Sequence, residues 1–234
     1  MRLAAVHLIS HSCKIVLLQP QSSSSPSTSS EQLTDKLNPA PSSSSSSEVQ
    51  PPIIEGHLAA NSKIVIDEKR FQDELRTKGY GEKEDEEYVL KSYEALYLFY
   101  TKRLKLRNRA NMGFDSLFEH LFKHNKTILS IFLVYRDLRN RGYVAKEGFG
   151  FGNDFRVYER GDYEKKPAKY VVFGINEGTN VTAKQFAFAV SQIEKMGKEA
   201  VVAVIERRGE VIYYKTSTVN FTNNNFNKSH NVRI

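Results

Sequence analysis

A chain of 234 residues with 40% hydrophobic and 11% aromatic side chains has room for two small domains and enough apolar content for a core. Its formal charge of +7 favours a polyanionic partner. The single cysteine, Cys13, excludes an internal disulfide framework and fits a reducing interior, and no apolar run approaches the roughly 18 residues needed to span a bilayer.

The first twenty residues carry an early arginine and two short apolar patches, as a secretory leader does. However, His7, Ser10, His11, Ser12 and Lys14 interrupt the apolar run, and no small-residue cleavage site follows, so an unstructured start is the expectation. Residues 21–52 are serine- and proline-rich with little to bury, which predicts a disordered extension over 1–52.

Ordered sequence is expected from Ile53. Residues 53–67 read as two short strands around a turn at Asn61-Ser62, and 68–78 as a helix stopped by Gly79. The acidic run 82–87 reads as a solvated loop, Tyr88-Val89-Leu90 as a strand, and a second helix begins at Ser92. The basic cluster 102–109 fits either a solvated loop or a contact with RNA phosphates. Residues 114–124 form a helical stripe that sets His120 and His124 four apart. No glutamate of the HExxH type lies between them and no third ligand is evident, so no metal and no cofactor are expected.

Ile131, Val134 and Leu138 make the next amphipathic helix, closed by Gly142 after an arginine-rich turn. Extended structure follows to Tyr158, with Phe155 and Val157 facing the core and Arg156, Tyr158 and Arg160 on a cationic face. No helix pattern follows Gly148, Gly150 and Gly152, which therefore read as strand and bulge glycines rather than a phosphate loop. A charged hairpin loop (162–169), a strand (170–175), a helix capped by Thr182, a strand (199–205), a turn at Arg207-Arg208-Gly209 and a final strand (211–219) complete the pattern. The class is α+β. The expected domains are a small N-terminal α/β unit over 53–126, a C-terminal unit over 127–222, and a flexible tail over 223–234.

From Leu138 the chain reads LRNRGYVAKEGFGFGNDFRVYERG. This dense pattern resembles the C-terminal domain of the archaeal tRNA-splicing endonucleases, with weaker similarity over about 53–221, including EALYL at 94–98. The resemblance implies a mixed or antiparallel sheet flanked by helices and a cytoplasmic enzyme that cuts precursor tRNA at bulge-helix-bulge sites without metal. In that reaction a ribose 2′-hydroxyl attacks its neighbouring phosphate, and the products are a 2′,3′-cyclic phosphate and a 5′-hydroxyl. A base, an acid and a cation are required, and the family fills these slots with tyrosine, histidine and lysine.

By the resemblance, Tyr158 stands in the tyrosine slot, where Arg156 and Arg160 on its face would favour the ionised phenol a base requires. Read without the resemblance, Tyr158 is equally an exposed strand tyrosine. Lys198 takes the lysine slot, with Lys195 the runner-up, and Arg156, Arg160, Lys165 and Lys166 are candidate RNA contacts. The histidine slot holds Pro167 instead, and no histidine occurs between His124 and His230. Proline has no proton to give, and a lysine with an ordinary pKa of about 10.4 is a poor donor at neutral pH.

Some enzymes that this chain resembles combine two catalytic with two structural subunits. The expectation is a structural subunit of such a hetero-oligomer, with partners in a catalytic chain and precursor tRNA. It would pair through residues 211–221 and insert Glu206, Arg207, Arg208, Gly209 and Glu210 into the partner. Two other readings stay open: an active chain with a displaced acid, and an RNA-binding module with no nuclease role.

Overall fold

The structure, a computed structural model, describes residues 14–15, 52–59, 62–150 and 154–219. The expectations for the N-terminal extension and the C-terminal tail lie outside the described residues, apart from Pro52 and a two-residue strand, β1 (Lys14–Ile15).

The first five-stranded sheet contains β2 (Ile54–Leu58), β3 (Ile64–Val65), β4 (Glu82–Glu84), β5 (Glu87–Leu90) and β6 (Leu104–Leu106) in the order β4-β5-β3-β2-β6. Ser62, at φ 63°, makes the turn between β2 and β3. Helices α1 (Lys69–Thr77), α2 (Ser92–Tyr100) and α3 (Phe114–His124) accompany it. The acidic run is not the solvated loop that its charge predicts, because it forms the β4–β5 hairpin. Lys63 bonds to Glu84 at 2.5 Å and Lys91 to Glu84 at 3.2 Å, so neighbouring lysines neutralise the strand.

The second sheet follows α4 (Ile128–Asn140). Its strands are β7 (Val144–Glu147), β8 (Asp154–Tyr158), β9 (Tyr170–Asn176), β10 (Glu199–Ile205) and β11 (Val211–Thr216), in the order β11-β10-β9-β8-β7. Helix α5 (Ala183–Lys195) connects β9 to β10, which run parallel, and the other neighbours are antiparallel. The final strand is shorter than the sequence predicts. It breaks at Ser217, and β12 (Thr218–Val219) leaves the sheet to pair with β1.

Glycine closes three helices in the same way. After α4, Gly142 at φ 88° donates to Arg139 O and Tyr143 N–H reaches back to Leu138 O at 3.1 Å. Gly79 and Gly197 repeat the pattern after α1 and α5, and a left-handed residue at this position satisfies carbonyls that would otherwise be orphaned. Between β7 and β8, Gly148 and Gly150 belong to the connection rather than to strand interior. Gly148 follows the end of β7, and a Cβ there would lie 1.8 Å from Asp154 Oδ2. Gly150 turns at φ 89°, and Gly152 lies outside the described residues.

One apolar core crosses between the sheets. Tyr93 of α2, Tyr135 of α4 and Phe155 of β8 meet with ring centroids 4.8–5.8 Å apart. Tyr135 and Phe155 are among the largest fully buried side chains. A smaller cluster on the opposite face of the second sheet joins Val190 and Ile193 of α5 to Val171, Phe173, Ala200 and Val202. The sheet therefore lies between α4 and α5.

Candidate active site

Period-two alternation along β8 sends Phe155 and Val157 into the core and leaves Arg156 and Tyr158 half-buried on the other face. Beyond the strand, the chain turns through 159–169 and returns as β9, which brings the loop back over Tyr158. The result is an open cavity of about 460 Å³ lined by Lys146, Arg156, Tyr158, Tyr163, Glu164, Lys165, Lys166 and Pro167.

Five of the sequence-predicted residues thus meet: Arg156, Tyr158, Lys165, Lys166 and Pro167. Lys198 stands at their edge, where Nζ donates to the carbonyl of Ala168 at 2.9 Å. Its position follows from the helix closure, since Gly197 turns the chain at φ 67° and Lys198 N–H bonds back to Ile193 O. Lys195, the alternative, is exposed in the last turn of α5.

Arg160 departs from the expected face. Strand β8 ends at Tyr158, the alternation ends with it, and Arg160 lies in the following turn with Cδ 3.9 Å from the Cβ position of Gly142. Lys169 bonds to Glu159 at 2.7 Å, and the paired carboxylate holds its pKa above the ordinary lysine value. The predicted insertion residues 206–210 form the turn between β10 and β11. There Gly209, at φ 80°, donates to Glu206 O, and Arg207 N–H donates to Glu177 Oε2.

Three cavity residues, Lys146, Tyr163 and Glu164, escaped the sequence reading. Lys146 lies directly opposite Arg156 in the β7–β8 register. Like charges so placed repel, and the structure separates them. Lys146 Nζ turns to Glu94 Oε1 at 3.0 Å and Gly81 O at 2.9 Å, while Arg156 Nε donates to Glu147 O at 2.8 Å. The signal was available, because alternation from buried Ala145 puts Lys146 on the Arg156 face. Tyr163 gave no such signal, since it sits in an irregular loop. Its ring meets that of Tyr158 edge-on with centroids 5.2 Å apart, and burial raises the pKa of its hydroxyl.

The arrangement can hold a phosphodiester among cations beside a phenol. It offers no imidazole: among the described residues His57 lies on β2, and His120 and His124 lie on α3, where His120 Nε2 is 3.0 Å from Ser62 Oγ. No group of three metal-ligating side chains occurs among the described residues.

The fold agrees with what the comparisons find. Residues 128–213 match the tRNA intron endonuclease, catalytic C-terminal domain, and residues 54–118 match the tRNA intron endonuclease, N-terminal domain. A tRNA-splicing endonuclease of Methanococcus vannielii is 33% identical over 157 residues, covering 66% of this chain and 89% of that protein. This chain belongs to the tRNA intron endonuclease family. A tRNA-splicing endonuclease of Thermococcus onnurineus is 30% identical over 169 residues, covering 72% of this chain and 98% of the relative. Membership supports a role in removing tRNA introns. No helix among the described residues is long and apolar enough to cross a membrane.

Proposed function

We propose that this chain is the structural subunit of a tRNA-splicing endonuclease that removes introns from precursor tRNA at bulge-helix-bulge sites. The observation that carries the reading is Pro167 in the wall of the Tyr158 cavity, with Lys198 tied to the adjacent carbonyl of Ala168. Base and cation slots are filled, and the acid slot holds a residue without a proton. General acid catalysis contributes about 10²–10⁴-fold, so the loss leaves a site that binds RNA and does not cut it efficiently.

In this reading Arg156, Arg160, Lys165 and Lys166 contact RNA phosphates, and a catalytic subunit supplies the complete site in a cytoplasmic assembly of two chains of each kind. Residues 206–210 dock in that subunit, and β11 extends its sheet. The domains divide at about residue 126.

A second reading, an active chain with a displaced acid, draws on Tyr163. Its side chain lines the same cavity and its phenol carries a proton for the departing 5′-oxygen, though burial raises its pKa and makes it a poor donor, as the lysines are. Cleavage of a bulge-helix-bulge precursor by the purified chain, alone and mixed with the catalytic subunit of the same source, separates the two. Silence alone and cleavage on mixing is the expected result. Cleavage by the chain alone, lost in Tyr163→Phe, overturns the structural role.

A further inference from the structure

We propose that a second cavity, at the seam between the two sheets, takes a ribonucleotide of precursor tRNA flanking the one held at Tyr158. The cavity measures about 250 Å³ and is lined by Lys78, Tyr80, Arg139, Gly142, Tyr143 and Val144. Two cations and two phenol rings line it, without a carboxylate. Arg160, displaced from the Tyr158 face, supplies a third cation at the rim through its approach to Gly142. Cations that follow a backbone, combined with aromatic faces for bases, are how proteins hold single-stranded nucleic acid.

Each wall is set by the fold. Arg139 of α4 lies 3.9 Å over the Tyr80 ring and donates from Nη2 to the carbonyl of Lys78 at 3.0 Å, so its plane is fixed. Lys78 follows α1, with its ammonium 2.7 Å from Glu74 in an exposed pair. Such pairs contribute little, and the lysine can exchange its partner for a phosphate. Tyr143 is half-buried, edge-on to Tyr170.

Gly79 packs between the walls of the two cavities. A Cβ there would lie 2.3 Å from Val144 Cγ1, in the wall of the seam cavity, and 3.4 Å from Tyr163 Cε1, in the wall of the first. The Tyr163 wall of the first cavity and the Val144 wall of the second therefore pack on the same glycine. The N-terminal half would then contact RNA directly.

The inference rests on the precursor-tRNA reading, and its test separates the two. The probe is a bulge-helix-bulge precursor tRNA, bound by the full chain assembled with its catalytic subunit across a salt series. The Lys78→Ala/Tyr143→Leu variant, which removes one cation and one ring of the seam cavity, is expected to bind about tenfold more weakly, with the logarithmic salt slope reduced by about one. A Lys184→Ala control removes equal charge at an exposed site elsewhere and is expected to stay within about threefold of the parent. Parent-like binding by the seam variant, or an equal loss in the control, overturns the inference alone. No binding by the parent assembly overturns the functional reading and the inference with it.

Discussion

Lys146 of β7 and Glu94 of α2 join the two halves through an ion pair of 3.0 Å, with Glu94 fully buried and the lysine side chain 12% exposed. Glu94 Oε2 also accepts the backbone N–H groups of Gly81 at 2.8 Å and Lys91 at 3.1 Å. Removing one member of a buried pair strands the other, at about 3–5 kcal/mol. Glu94→Ala is expected to fall in that range, and Lys146→Met to cost less, because the carboxylate keeps two donors. Denaturant unfolding of both single variants and the double variant measures each cost and their coupling; equal costs would contradict this assignment of partners.

Lys102 closes α2 at φ 57°, the position that Gly79, Gly142 and Gly197 hold after three other helices. A side chain in the left-handed region costs about 1–2 kcal/mol, partly recovered by the lower chain entropy of a non-glycine residue. Lys102→Gly should therefore stabilise the protein by about 0.5–1 kcal/mol, and Gly142→Ala should destabilise it by about 1 kcal/mol. Thermal melts of the pair give opposite signs if helix closure is the cause.

Pro167→His supplies an imidazole to the cavity wall. Where the missing acid is the main defect, the isolated variant gains cleavage by about 10²-fold over its parent and leaves a 2′,3′-cyclic phosphate. Single-turnover assays with end-group analysis read both. A variant as silent as the parent means that Tyr158 and Lys198 are no longer aligned for the reaction.

His120 binds its proton less readily than an ordinary histidine near 6.5, first because it is partly desolvated and then because His124, Arg109 and Lys123 repel the charge. Its folded pKa lies below its unfolded one. The unfolded chain therefore takes up more protons in that window, and the contribution to stability is complete above pH 6.5 and is lost as pH falls through the folded value. The difference in melting temperature between the parent and His120→Gln should shrink from pH 7.5 toward pH 5. An unchanged difference would remove His120 as the cause.

The elements whose residues obey one local rule were legible. Glycines 79 and 142 ended helices where the sequence placed them, and the Phe155/Val157 alternation fixed the face of Tyr158. What escaped depended on distance along the chain. Glu94 and Lys146 are 52 residues apart, and neither pattern names the other. The acidic hairpin read as a loop because charge runs usually face water, whereas here Lys63 and Lys91 arrive from separate segments to neutralise it. Arg160 lies two residues beyond the end of the strand, so the alternation that predicts its face does not reach it.

The aromatic junction of Tyr93, Tyr135 and Phe155 limits how such a chain can be recombined. Each ring comes from a different element, and two of the three lie within the segment matched to the catalytic domain. A chimera that grafts the N-terminal sheet of one relative onto the C-terminal sheet of another inherits rings that were not selected to fit. Duplication of the whole gene avoids that mismatch, and a specialised copy can then diverge at one loop residue while its two halves are inherited together.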